Sequence, residues 1–408
     1  MILRFRVNNL WLCEIFAGLC SGCEWMLKSA FRLRRQCVPA PKAIDGQLEV
    51  AVLRATKHEF PRRKGSKASM LQRGETPPNK PDVRAARPRD LTMAYIPGGT
   101  FRMGSDKYYP EEAPVHRVSV DGFWVDRTPV TNRQFREFVE ATGYVTFAEI
   151  APDPRDYPGA PAHLLKAGSA VFLPPNHPVD LGDISKWWTF TFGANWRHPY
   201  GKGSSIRKLD DHPVVHVAYE DAAAYAAWAG KSLPTEAEWE FAARGGLDGA
   251  EYAWGDELTP GGRHMANTWQ GQFPHENCAG DGFERTSPVT AFPANGYDVY
   301  DMIGNVWEWT TDWYSPRNKG DVSKACCIPQ NPRGASESDS YDPGMPEIRI
   351  PRKVIKGGSH LCAPNYCRRY RPAARHPEPV DTSTSHLGFR CVVRNLETEV
   401  AEDVNSHG

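Results

Sequence analysis

LPTEAEWEFAARGG, residues 233–246, carries the start and stop signals of a helix in one short run. Thr235 and Glu238 have the S/T-x-x-E spacing of a capping box, in which hydroxyl and carboxylate satisfy N–H groups that a first helical turn leaves open. Trp239 and Phe241 follow, Arg244 closes the last turn, and Gly245-Gly246 ends the helix. Two more segments read the same way. Thr131 and Gln134 repeat the box ahead of Phe135, Phe138 and Val139, which predicts a helix over 132–141 that ends before Gly143. An alanine-rich segment over 219–229, with Tyr225 and Trp228 on one side, predicts another, closed by Gly230.

Upstream the period changes. MAYIPGGTFRMGS (93–105) sets apolar residues on both sides of a Gly-Gly turn, and HRVSVDGFWVDRTPVT (116–131) alternates Val118, Val120 and Phe123 with polar neighbours, as strands do. Downstream of 246, regular periodicity nearly vanishes in favour of short runs of Gly, Pro, Asn, Asp and aromatics. A compact domain with so few ladders needs something else to fix its backbone, and bound cations are a natural candidate.

Composition agrees: 40% hydrophobic and 24% charged residues suit a soluble globular protein, while 35 Gly, 35 Pro and 13 Trp in 408 residues indicate many turns. The net charge is zero, but residues 1–89 hold 18 Lys+Arg against 7 Asp+Glu. This basic, Pro-rich stretch is expected to be a disordered extension, followed by one folded domain over 90–396 and a tail over 397–408. A mobile arm is the simplest reading of such a segment, and no nucleic-acid or membrane partner is expected. The run LWLCEIFAGL (10–19) is a poor secretion signal because Glu14 interrupts it, and no stretch reaches the roughly 18 apolar residues of a membrane span. The 10 cysteines show no regular disulfide framework, and a cytoplasmic location is expected. No G-x-S-x-G, H-E-x-x-H, Walker or dinucleotide fingerprint occurs, which argues against hydrolase, zincin and nucleotide-binding readings.

Two features carry chemistry. GGSHLCAPNYCRRYRPAARH (357–376) places Cys362 and Cys367 five positions apart, ahead of Arg368, Arg369, Arg371 and Arg375, whose charge favours thiolates. Residue chemistry leaves four readings open: buried bystander thiols, a disulfide, a zinc site completed by His360, His376 and His386, or a Cu(I) site, since two soft thiolates suit a low-coordinate soft ion. Ser359 and Tyr366 supply hydroxyls beside the pair. The second feature is two Gly-rich stretches with hard oxygen donors, Asn267 and Asp281 in 266–283, and Asp301 and Glu308 in 301–309. These read as ordinary Asx turns or as calcium loops that lack the EF-hand pattern.

Taken together, IPGGTFRMGS, PVTNRQFREF, LPTEAEWEFAARGG, GNVWEW, KGGSHLCAPNYCRRYRPAAR and HLGFRC resemble the formylglycine-generating enzyme, or sulfatase-modifying factor, family over about residues 91–394. The resemblance implies an irregular α+β fold with little secondary structure, related to C-type lectins. It implies that Cys362 and Cys367 bind Cu(I) and are catalytic, with Ser359 and Tyr366 orienting oxygen and thiolate and Trp307 walling the pocket. It further implies structural Ca2+ on Asn267, Asp281 and the carbonyls of Thr268 and Phe283, and on Asp301, Glu308 and the carbonyls of Gly304 and Val306. The expected reaction oxidises a cysteine in the C-x-P-x-R signature of an unfolded sulfatase polypeptide to Cα-formylglycine, using molecular oxygen and a thiol reductant, and a monomer is expected. Pro372 and Ala243 stand where eukaryotic members have half-cystines, and His386 where members commonly have Asn. Relatives on the same scaffold also include lectin-like binding modules and iron-dependent sulfoxide synthases, and the Cys pair separates the formylglycine reading from these.

Overall fold

A computed structural model describes residues 92–154, 161–316, 327–346 and 349–394. The basic extension, the C-terminal tail and Cys326 lie outside the described residues. No helix among those described is long and apolar enough to cross a membrane.

The three helices form where their caps predict: α1 Asn132–Thr142, α2 Tyr219–Trp228 and α3 Glu236–Arg244. Both capping boxes are made, Thr131 with Gln134 and Thr235 with Glu238, and Gly143 and Gly245 end α1 and α3 in the left-handed region. The anticipated strands are present as β1 Met93–Ile96, β2 Gly99–Met103, β3 His116–Val120 and β4 Phe123–Asp126.

More strand exists than the periodicity suggested. A hairpin joins β5 Gly168–Phe172 to β6 Trp188–Phe192. Downstream lie β7 Trp307–Trp313, β8 Arg352–Lys356, β9 Arg375–Pro379, β10 Leu387–Gly388 and β11 Val392–Arg394. The order β10-β7-β8-β9 makes the central sheet, while β1-β4-β11 ties the two ends of the domain together. These strands leave no periodic signal in the sequence, for a physical reason. Every residue of β8, RKVIK, is buried, so it shows no alternation; Arg352 and Lys356 find ion partners instead of water, and Lys353 a backbone carbonyl.

Helix α3 lies across β7 and β8 and also touches β2 and β3. Its acidic face supplies those partners: Glu236 binds Arg375 Nε (2.8 Å), and Glu240 binds Lys356 (2.9 Å) and Arg244 (2.6 Å). The main core fills the space between this unit and α1 and α2, with Phe135, Tyr225, Trp239, Trp309 and Phe389 among its members. A second, smaller core of Phe172, Trp187, Trp269, Phe273, Leu361 and Ala363 sits under the catalytic-candidate loop.

Candidate active site

Strand β8 delivers the site. It runs directly into Gly357 and Gly358, both at positive φ (91° and 70°). A Cβ on Gly358 would lie 2.7 Å from the Arg369 carbonyl oxygen, so glycine is needed for the chain to fold back on itself here. Two successive turns follow, the Cys362 N–H donating to the Ser359 carbonyl (2.9 Å) and the Cys367 N–H to the Ala363 carbonyl (2.8 Å). They bring the two sulfurs to 3.4 Å of each other, and both cysteines are free thiols. The disulfide alternative is therefore not realised at this pair.

The two thiols are unequal. Cys362 is sealed at 2% exposure, whereas Cys367 is half-buried. Burial pushes Cys362 well above the usual thiol range. The hydrogen bond from Cys362, and then the Arg369 guanidinium, hold Cys367 below it. Both shifts favour Cys367 over Cys362 as the thiolate. Arg369 Nη1 lies 3.9 Å from Cys367 Sγ, and the Ser359 N–H donates to Cys362 Sγ (3.4 Å). The Ser359 hydroxyl is fully buried and accepts from the Leu361 N–H (3.2 Å).

Tyr366 is 38% exposed, unusual for a large ring beside a buried sulfur. Its ring stacks on Phe273 (4.5 Å, 6° between planes) and meets Trp187 edge-on at 5.6 Å. In the sequence, nothing but aromatic character marks Phe273 and Trp187. Trp307 opens β7 in a buried position, its N–H donating to the His386 carbonyl (2.9 Å) and its ring 5.9 Å from His376. His386 packs on Trp188 at 4.8 Å.

The histidines do not gather round the sulfurs. His360 Nδ1 pairs with the Asn305 carbonyl (2.8 Å) and His386 Nδ1 with Thr384 Oγ1 (2.6 Å). Among the described residues no three His, Cys, Asp or Glu side chains converge closely enough to hold a metal ion, which leaves the zinc alternative without ligands. Two thiols alone, facing each other with one side accessible, are a donor set that fits a soft monovalent ion.

The two oxygen-rich stretches buttress the catalytic turn. The Trp269 N–H donates to the Cys362 carbonyl (3.1 Å), and the Gly304 N–H to the Gly357 carbonyl (3.0 Å). In the first stretch, Asn267 Oδ1 is buried without a hydrogen-bond partner, an orphan acceptor of the kind a cation satisfies. Asp281 lies close by through its bond from the Thr268 N–H (3.1 Å), and its other oxygen accepts from the Phe283 N–H (3.0 Å). The carbonyl of Thr268 accepts from the Gln270 amide. Hard oxygens and an orphaned one fit Ca2+. The second stretch differs. Both carboxylate oxygens of Glu308 accept from Arg390 (each 2.7 Å), and Trp239 Nε1 adds a third bond (2.8 Å). Asp301 accepts instead from the Thr290 N–H (3.2 Å) and Asn305 (3.4 Å). The structure thus engages Glu308 with Arg390 and Trp239, and Asp301 with Thr290 and Asn305. Asp301 and Gly304 both stand at positive φ (52° and 77°).

An irregular α+β domain that presents two convergent thiols beside an accessible aromatic platform defines a thiol-centred oxidoreductase scaffold. The sulfatase-modifying factor enzyme 1-like domain matches residues 80–395, and the chain belongs to this family. It is 57% identical to the formylglycine-generating enzyme of Mycobacterium tuberculosis over 73% of this chain and 96% of that protein. It is 39% identical to the inactive Cα-formylglycine-generating enzyme 2 of Bos taurus over 74% of this chain and 87% of that one. Among solved structures, PvdO from Pseudomonas aeruginosa matches with a TM-score of 0.49 and 24% identity, over 74% of this chain and 94% of that chain. The chain is a formylglycine-generating enzyme homologue, an oxidoreductase.

Proposed function

We propose that this enzyme converts the cysteine of a C-x-P-x-R segment in an unfolded sulfatase polypeptide to Cα-formylglycine, with Cu(I) held by Cys362 and Cys367. The observation that carries the reading is the pair of facing thiols at 3.4 Å, one sealed and one accessible. When bound, Cu(I) supplies the one-electron and oxygen chemistry that no side chain can. In net terms, –CH2–SH with O2, two electrons and two protons gives –CHO, hydrogen sulfide and water, the electrons coming from an external thiol.

This chain's residues set the stage. Cys362, closed off by burial, anchors the centre, and Cys367 faces the side from which a guest thiol arrives. The Tyr366 hydroxyl, on a ring fixed by its stack on Phe273, is placed to orient that thiol. Ser359 holds Cys362 from behind through its N–H. Trp307 walls off water, which strengthens every polar contact inside. Asn267, Asp281 and the Thr268 and Phe283 carbonyls would hold Ca2+, whose charge would stiffen the turn behind Cys362. A monomer is proposed, and a cytoplasmic location is the reading that the free thiols at Cys362, Cys367 and Cys391 support, while the disulfide at Cys278 is the observation against that compartment.

The test is conversion of a C-x-P-x-R peptide, followed by mass spectrometry, with Cu(I), oxygen and thiol. Wild type is expected to produce the aldehyde in proportion to bound copper. Cys362→Ser/Cys367→Ser is expected to abolish it, and equal conversion by that double variant would rule the reading out.

A further inference from the structure

The segment YYPEE, residues 108–112, in which Glu111 stands 258 positions upstream of Arg369, lies against the arginines that follow Cys367. Its tyrosines and glutamates contact Arg368, Arg369 and Arg371 of the RRYR run (368–371). The Arg368 N–H donates to the Tyr109 hydroxyl (3.0 Å), and the Arg369 guanidinium sits 3.9 Å over the Tyr109 ring. Arg369 Nη2 donates to Glu111 (2.6 Å), while Arg371 makes a two-pronged pair with Glu112 (2.8 and 2.5 Å) and lies 4.0 Å over the Tyr108 ring. Arg369, Arg371 and Glu112 are all buried.

The two ion pairs are not equivalent. Arg371–Glu112 is a clamp between two segments, directed at neither sulfur. Arg369–Glu111 ends on Cys367, because the guanidinium held by Glu111 and Tyr109 presents its other nitrogen, Nη1, to Cys367 Sγ at 3.9 Å. A guanidinium is a rigid planar fork, so fixing one prong on a carboxylate and its face on a ring fixes the direction of the other prong.

We propose that the 108–112 strap is a positioning device for the thiol pair: Glu111 and Tyr109 aim Arg369 at Cys367 Sγ and so hold that sulfur opposite Cys362. The inference rests on the reading of Cys362 and Cys367 as the Cu(I) ligands. Two thiolates around one monovalent cation leave a net negative charge in a partly buried place, and Arg369 is the group directed at it. Arg369 and Glu111 are therefore positioning residues, and the effect of losing either is on the sulfur centre before it is on global stability.

Cu(I) affinity of the full chain tests this, measured without oxygen by competition with a chromogenic Cu(I) chelator, with circular dichroism melting on the same samples. Arg369→Gln and Glu111→Gln are each expected to weaken Cu(I) binding about tenfold or more, the usual worth of a charge-assisted hydrogen bond. The double variant is expected to be no weaker than Arg369→Gln alone, and Arg369→Lys, which keeps the charge but loses the fork, to recover part of the loss. Glu112→Gln is expected to lower the melting temperature and leave Cu(I) affinity within twofold of wild type. Unchanged affinity in folded Arg369→Gln and Glu111→Gln, or an equal loss in Glu112→Gln, overturns the inference while the Cys assignment stands. Unchanged affinity in Cys362→Ser/Cys367→Ser overturns the Cys assignment and the inference with it.

Discussion

At the scale of single residues, the asymmetry of the two cysteines has a direct chemical consequence. The thiolate is the nucleophile, so alkylation reports which sulfur carries the charge. Copper-free enzyme treated with iodoacetamide at pH 7 is expected to label Cys367 at least tenfold faster than Cys362, as peptide mapping would show. Cys367 is held down to about 6, below the ordinary thiol value, so its labelling should persist at pH 7 and fall as the pH drops through that value. Equal labelling of both cysteines would remove the assignment. The pair itself was legible from spacing and from the arginines beside it. Which cysteine is sealed was not, because Cys362 is packed into the main core, and that core is assembled from segments far apart in sequence. Gly358→Ala belongs to this scale too. It adds a Cβ 2.7 Å from a carbonyl oxygen at φ 70°, and should cost about 1–3 kcal/mol and most of the activity, read from urea midpoints and turnover.

Among the elements, those with local punctuation could be read in advance. Helices α1 and α3 announce themselves through capping boxes and terminal glycines, and these are contacts within four residues of each other. The sheet β10-β7-β8-β9 makes its contacts at long range and hides charged residues inside, so neither alternation nor composition betrays it. Lys356 is the centre of that concealment, fully buried between Glu236 (3.5 Å) and Glu240 (2.9 Å). Removing one member of such a group leaves uncompensated charge in a dry place. Lys356→Ala is expected to destabilise the domain by about 3–5 kcal/mol, measured by urea unfolding, whereas Thr235→Ala, which loses only a cap, should cost about 1 kcal/mol. The loop around Asn267 gives a third handle at this scale. Chelating divalent cations should lower the melting temperature of wild type, and Asn267→Ala should remove most of that response, because its orphaned Oδ1 is the donor the ion would satisfy.

Over the whole molecule, closure depends on sequence ends meeting: β11 pairs with β4, Val392 opposite Val125, and Cys391 N–H donates to Asp126 (3.0 Å). Strand β9, at the edge of the central sheet, carries a buried carboxyl, Glu378, that couples this architecture to pH. Glu378 faces Lys353 in the strand register, but Lys353 donates to the Thr311 carbonyl (2.6 Å) and covers the Trp313 ring (3.3 Å). Burial first, and then the nearby Asp381, raise Glu378 from 4.5 to about 8, against smaller opposing effects of Thr382 and Arg352. A carboxyl raised in the folded state binds its proton more tightly there than in the unfolded chain. Its contribution is therefore fully present below about 4.5 and is lost as pH rises toward 8. Glu378→Gln keeps the shape and removes the charge. Relative to wild type it is expected to raise the melting temperature by several degrees at pH 8, and the advantage should shrink to nothing at pH 4, where both side chains are neutral. Melting curves of the two proteins at both pH values decide it, since an advantage of equal size at pH 4 and pH 8 would mean that Glu378 acts through packing and not through its proton.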